Sequence, residues 1–147
     1  MDISIQIGQI TDLPMVLKLY HDVLDKNKKV LSVNEAETLF NKFSKYPDYH
    51  LYIALCAGEI IGSFALLIMD NLAHFGSPSA IVEDVVVAEN FQNKGVGKIM
   101  MEFAISKAKQ AGCYKMVLSS NQKREDAHKF YESLGFEKHG FSFMVKL

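Results

Sequence analysis

Ile3, Ile5 and Ile7 alternate with Ser4 and Gln6, the period-two pattern that predicts a strand with one buried face. Beyond Gly8 the spacing becomes helical, with Leu13, Val16, Leu17, Tyr20, Val23 and Leu24 on one stripe. Thr11 or Asp12 is placed to cap that helix, and Pro14 is tolerated in its first turn. The Lys-rich segment Asp25-Lys26-Asn27-Lys28-Lys29 ends it. Ser32 with Glu35 three residues on has the form of a capping box, so a second helix is expected with Leu39, Phe40 and Phe43 as its apolar stripe. Pro47 closes that segment. The runs His50 to Ala57 and Ile60 to Met69, joined by a turn at Ala57-Gly58-Glu59, read as an antiparallel hairpin.

Residues 70–80 are rich in Asn, Gly, Ser and Pro and predict a loop before a strand from Ile81 to Val87. From Val96 to Ala111 the positions Val96, Ile99, Met100, Phe103, Ala104, Ala108 and Ala111 share one helical face, and Gly112 stops the helix. A strand over Lys115 to Ser120, a short helix over Glu125 to Leu134 ended by Gly135, and one or two closing strands over Glu137 to Lys146 complete the chain. The order β-α-α-β-β-β-α-β-α-β predicts an α/β fold. Its mixed, twisted sheet would be flanked by helices, with a parallel pair where the long helix crosses between strands.

The 147 residues suffice for one core and are too few for two comfortable ones, so a single domain over 1–147 is expected. A net charge of −1 offers no basic field for nucleic acid or an anionic membrane. Met1 to Ile10 has no basic region followed by an apolar run, and no apolar stretch approaches a bilayer span. Cys56 and Cys113 each sit in an apolar pattern, which suits small core residues in a reducing compartment. A cytoplasmic protein is the expectation. The five histidines and two cysteines show no metal-ligand spacing on one element, so no metal is expected.

The chemistry concentrates in Val85-Val86-Val87-Ala88-Glu89-Asn90-Phe91-Gln92-Asn93-Lys94-Gly95-Val96-Gly97-Lys98, a strand running through a glycine turn into the long helix. The first amides of a helix are unpaired and carry partial positive charge. Glycines that let the backbone approach therefore make an anion cradle, reinforced here by Lys94 and Lys98. A nucleotide P-loop would need Gly at position 92 and Ser or Thr at position 99, where the chain has Gln92 and Ile99. The dinucleotide fingerprint needs a third small residue where Met100 stands.

What remains, Gln-x-x-Gly-x-Gly after a Val-rich strand, resembles the coenzyme A pyrophosphate motif of the GNAT family of N-acetyltransferases. A second match follows in Leu118-Ser119-Ser120-Asn121 and in Ala127-His128-Lys129-Phe130-Tyr131-Glu132-Ser133-Leu134-Gly135-Phe136. The resemblance runs from about Ile81 to Phe136. It implies acetyl-coenzyme A as cosubstrate, held by Val85, Val86, Val87, Gln92, Asn93, Lys94, Gly95, Val96, Gly97, Lys98 and Asn121. It also implies Tyr131 beside the coenzyme sulfur and a bulge that splays the strand at Val85 to Val87.

Acetyl transfer to an amine requires removing a proton from the ammonium, stabilising the oxyanion and protonating the thiolate. A backbone N–H of Val85 to Val87 suits the oxyanion. Tyr131 is the candidate general acid, since a phenol stays protonated at neutral pH. Glu83 is the candidate general base, because Val82-Glu83-Asp84-Val85 sets carboxylates on an otherwise apolar strand where burial is costly. Glu83 and Asp84 should point to opposite faces unless a bulge intervenes. His128 reads as a capping or surface histidine.

The segment Asn121 to Tyr131 with Phe141-Ser142-Phe143 resembles aminoalkylphosphonate N-acetyltransferases. The segments Ile81 to Val85 and Gly112 to Lys115 resemble glucosamine-phosphate N-acetyltransferases, although Ser119 stands where those enzymes carry an acidic residue. Both likenesses imply a small amine bearing an anionic group, with Arg124, Lys123 or His74 as clamps. Peptide amines and aminoglycosides stay open as acceptors, as does a non-catalytic acetyl-coenzyme A sensor or partner-binding module. Dimers are common in the family, and the sequence leaves the oligomeric state open.

Overall fold

The computed structural model describes residues 1–26 and 28–147; Asn27, part of the expected helix-ending segment, lies outside the described residues. The elements run β1 (Ile3–Ile7), α1 (Leu13–Leu19), α2 (Val33–Phe40), β2 (Tyr49–Cys56), β3 (Glu59–Met69), β4 (Ser79–Val87), α3 (Val96–Gln110), β5 (Lys115–Val117) and α4 (Glu125–Ser133). The chain forms two compact units, Met1–Val117 and Leu118–Leu147.

The first unit holds a five-stranded sheet in the order β1-β2-β3-β4-β5. Its neighbours are antiparallel except β4 and β5, which are parallel. This is the mixed sheet expected from the sequence, with α3 as the crossover between its parallel strands. The β2–β3 hairpin turns through Ala57 and Gly58 at φ of 49° and 82°, a left-handed pair whose twist matches that of the flanking strands.

Alternation along the strands divides the core between two faces. Leu51 and Ile53 of β2 join Leu13, Val16, Leu17 and Ala36 of the first two helices. Tyr52, one position out of phase, stacks on Phe64 at 5.2 Å and meets Phe103 of α3 edge-on at 5.2 Å. Met100, Met101 and Ala104 of α3 are fully buried, so the long helix closes this second face. The close fit extends to Gly62, where an added Cβ would lie 2.9 Å from both Met100 Sδ and the Val86 carbonyl oxygen.

The expected capping box forms, with the Glu35 N–H donating to Ser32 Oγ at 3.3 Å and the Ser32 N–H to Glu35 Oε2 at 2.8 Å. Other expectations need correction. Asp12 does not cap α1 with its side chain; its carboxylate accepts from the Gln9 N–H at 2.7 Å, because a 3-10 turn over Ile10–Asp12 precedes the helix. Phe43 lies beyond α2 on a separate turn, where it stacks on Tyr49 at 4.4 Å, and Leu39 is exposed. Cys56 and Cys113 are free and only half-buried, each being beside a turn at a strand or helix end.

In the second unit α4 forms as expected. The closing strand over Glu137 to Lys146 does not form among the described residues, and Phe141, Phe143 and Val145 are exposed. Alternating sequence offers one edge of a ladder, but a strand also requires a partner backbone.

Candidate functional site

The opening in the sheet comes from how little of β4 is paired with β5. The parallel ladder joins Ser79 with Lys115, Ala80 with Met116 and Ile81 with Val117, and then stops. From Val82 to Val87, β4 runs on with its β3 ladder alone within this unit. Among the described residues of this unit, no second ladder occupies its other edge. Val85, Val86 and Val87 lie in this stretch, and Val86 is buried while its neighbours are half-buried.

The expected bulge is present, one residue earlier than the valines alone suggest. Ser63 pairs with Val86 and Ala65 with Glu83, so Phe64 faces two residues, Asp84 and Val85. Asp84 absorbs the extra length at φ 53°, the left-handed position that glycine commonly fills in such bulges. Both carboxylates are exposed. Burial raises the Tyr49 pKa, and the nearby charges of Asp84 and Glu83 add to that rise. Burial, and the neighbouring Asp84 charge, raise the Glu83 pKa above the usual carboxylate range. Burial followed by Asp25 does the same for Asp84.

At the far end of β4 the chain enters the glycine loop. Gln92 Nε2 donates to the Val87 carbonyl at 3.0 Å, folding the loop back on the strand. Asn93 and Gly95 take φ of 59° and 84°, and Gly95 caps the N-terminus of α3. The Ile99 N–H is the first to be satisfied by this turn, donating to the Gly95 carbonyl at 3.1 Å. The amides of Val96, Gly97 and Lys98 therefore head the helix without intrahelical partners. Lys94 lies 5.5 Å from the centre of the Phe91 ring, and Lys98 is 3.8 Å from Glu102. Both lysines are exposed at the mouth of the cradle.

Within the second unit Asn121 organises the approach to α4. Its Oδ1 accepts from the Lys123 N–H at 2.9 Å, and its carbonyl accepts from the Arg124 N–H at 3.0 Å. His128 Nε2 lies 2.8 Å from the same carbonyl and donates to it. His128 lies within α4 and does not cap it; the N-cap residue is Arg124, which makes no side-chain capping bond. Tyr131 packs against Phe130 at 5.2 Å and edge-on against Phe136 at 5.6 Å. Gly135, at φ 88°, turns the chain so that the Phe136 N–H reaches the Tyr131 carbonyl at 3.1 Å. Burial raises the Tyr131 pKa, and Arg124 opposes that rise.

Sequence reading missed two groups in the first unit, Tyr20 and Ser63. Tyr20 counted only as an apolar helix position. Ser63 is the lone hydroxyl among the apolar residues of Ile60 to Met69, and that isolation was the available signal. Of the three candidate clamps, His74 stacks on Tyr114 at 4.1 Å, while Lys123 and Arg124 begin the loop and cap of α4.

Comparison with known proteins gives a consistent picture. The sequence profile of the acetyltransferase (GNAT) family matches residues 16–136. A glucosamine 6-phosphate N-acetyltransferase of Trypanosoma brucei brucei is 35% identical over 56% of this chain and 54% of its own length. An aminoalkylphosphonate N-acetyltransferase of Salmonella typhimurium is 32% identical over 69% of this chain and 65% of its own. The chain thus spans about half to two thirds of these relatives. Among solved structures, one from Agrobacterium tumefaciens superposes with a TM-score of 0.92 at 31% identity, covering 98% of this chain and 99% of the other. An acetyltransferase of Trypanosoma brucei does so at 0.85 and 25% identity, covering 99% and 100%.

Proposed function

Because the chain belongs to the GNAT acetyltransferase family, we propose that it moves the acetyl group of acetyl-coenzyme A to a primary amine of a small molecule by direct attack on the thioester. In this reading residues 1–147 act as one catalytic domain. The family match spans both compact units, which supports it. The unpaired cysteines suit the cytoplasmic setting expected from the sequence.

The observation that carries the proposal is the strand that parts from its neighbour after Ile81 and leads into a helix headed by free amides. The donors fit a pyrophosphate. Three unpartnered N–H groups stand at the positive end of the α3 dipole, with Lys94 and Lys98 beside them. Val96, Gly97 and Lys98 supply amides, Gln92 and Asn93 shape the loop, and Gly95 provides its left-handed corner. Main-chain amides of Val85 to Val87 on the freed edge suit the carbonyl oxygen on which negative charge develops. Asn121 completes the proposed cofactor-binding set.

Glu83 is the proposed general base. Its pKa, raised by burial and by Asp84, moves toward the range in which a carboxylate accepts a proton effectively. Tyr131 is the proposed general acid, and burial keeps its phenol protonated at neutral pH. The acceptor is proposed to be a small amine that carries a phosphate or phosphonate, since the two curated relatives above act on amines of that kind. Release of free thiol from acetyl-coenzyme A tests this against aminoalkylphosphonates, glucosamine 6-phosphate, aminoglycosides and peptide amines. Amine-dependent release supports the reading. Tight cofactor binding with no release on any acceptor favours a non-catalytic sensor.

A further inference from the structure

The second unit holds a histidine to which the proposed chemistry gives no task. Helix α4 has nine residues, too few to be stable in water on its own backbone bonds. It also begins without help. Arg124 at its N-cap makes no side-chain capping bond, so the first turn lacks the acceptor that Ser, Thr, Asp or Asn supplies at that position. Glu125 and Asp126 set negative charge in the first turn, which suits the helix dipole but fixes no geometry. A more directed bond comes from inside the helix, where His128 at its fourth position reaches back seven residues to Asn121.

That bond acts on a residue already held from two other sides. The Asn121 carbonyl accepts from the Arg124 N–H at 3.0 Å and from His128 Nε2 at 2.8 Å, so both of its lone pairs are engaged. The Asn121 side chain turns inward on its own loop, with Oδ1 accepting from the Lys123 N–H at 2.9 Å. The Nδ2 donors are the part of the residue that this turn does not use. The turn and the Arg124 bond fix Asn121 within the loop and its N-cap, and the imidazole extends the hold past the N-cap into the body of α4. Tyr131 follows His128 by three residues and so shares its face of the helix. Asn121 and Tyr131 are thereby joined through one ring.

We propose that His128 is a positioning residue for the cofactor site: it clasps Asn121 to α4, so that the Asn121 amide and the Tyr131 phenol meet acetyl-coenzyme A as one preorganised pair. The inference rests on the acetyltransferase reading and deepens it by naming what sets the cofactor-binding asparagine in place. In this role His128 touches neither the cofactor nor the reacting atoms, and no covalent bond changes. Its effect enters through order. An asparagine loose in its loop must be immobilised when the cofactor binds, which weakens binding, whereas one fixed beforehand presents its donors at no further entropic cost.

The test is calorimetric binding of acetyl-coenzyme A to full-length wild type, His128→Ala, His128→Gln, Asn121→Ala and the double alanine variant, with thiol release on 2-aminoethylphosphonate read alongside. His128→Ala is expected to raise the Kd about tenfold, and Asn121→Ala to do at least as much. His128→Gln keeps an N–H donor of similar reach and should recover most of the lost affinity. The double variant should bind no worse than Asn121→Ala, because the carbonyl that His128 holds survives in that background while the side chain it aims does not. In turnover, His128→Ala should raise the KM for acetyl-coenzyme A and leave the amine KM within about twofold of wild type. An unchanged Kd in either single alanine variant overturns the inference. Additive losses, with the double variant about a hundredfold weaker than wild type, overturn it as well, since they mark a histidine that serves the fold alone. So does a loss in His128→Gln equal to that in His128→Ala. Wild type that binds no acetyl-coenzyme A defeats the acetyltransferase reading and the inference with it. Binding without thiol release defeats only the catalytic reading for this acceptor, and the calorimetric cycle still decides the role of His128.

Discussion

Gly95 and Gly58 form a matched pair from which the role of the glycine loop can be measured. Their φ angles are 84° and 82°, and an added Cβ would meet nothing within 4 Å at either position. The Gly→Ala cost is therefore backbone strain without collision, about 1–2 kcal/mol for an L-residue in the left-handed region. For a chain of this size that lowers the melting temperature by about 3–6 °C in each variant. Only Gly95 adjoins the amides of Val96, Gly97 and Lys98. If the alanine substituted there relieves its strain by moving to negative φ, those amides swing away from a bound anion. Losing one charge-assisted hydrogen bond costs about 1.5–3 kcal/mol, a roughly 10- to 100-fold rise in the Kd of acetyl-coenzyme A. Thermal melts and calorimetric titration of both variants supply the measurement. Equal destabilisation with an affected Kd in Gly95→Ala alone is expected. An unchanged Kd in Gly95→Ala would refute the assignment of the cradle to the cofactor.

Further outcomes follow from the packing and the carboxylates. Gly62→Ala should destabilise by about 1–3 kcal/mol, because Met100 can give way but the Val86 carbonyl is main chain; a melt within about 1 °C of wild type contradicts the geometry. Glu83 and Asp84 have folded pKa values raised above their ordinary ones, so their contribution to stability is greatest below the unfolded values and is lost as pH rises through the folded ones. Glu83→Gln and Asp84→Asn should accordingly melt higher than wild type at about pH 7, with the gap narrowing toward about pH 4. A gap that stays constant with pH sinks this account. Tyr131→Phe should lower kcat by roughly 10²- to 10⁴-fold while leaving the fold intact; wild-type turnover would remove the phenol from the mechanism.

The sequence made most of the scaffold legible where one element carries its own signal. Helix α3 shows its apolar spacing over its whole length, and the capping box of α2 needs only Ser32 and Glu35. What no single element records was set by pairing between distant segments. The bulge, implied only by the family resemblance, exists because β4 spends one residue more than β3 between two matched pairs, and no local pattern around Asp84 records that count. The same holds for β5, whose apolar run continues past Val117 although its ladder stops there. The π-turn over Tyr20–Leu24 that follows α1 keeps the apolar spacing of an ordinary helix to within a fraction of a turn, so Tyr20 read as core. The glycine loop was legible because its chemistry is written in residue types that few other structures require.

The parting of β4 from β5 also determines what mutagenesis can see. Between Val82 and Val87 the freed groups are amides and carbonyls, which every residue except proline supplies alike. Side-chain scanning of Val85 to Val87 will report on packing, above all at buried Val86, and will be blind to anything the main chain holds. Only a proline, or a backbone ester in place of an amide, can interrogate that edge. The same indifference frees the three valines to be exchanged for other apolar residues without erasing whatever the strand's backbone binds.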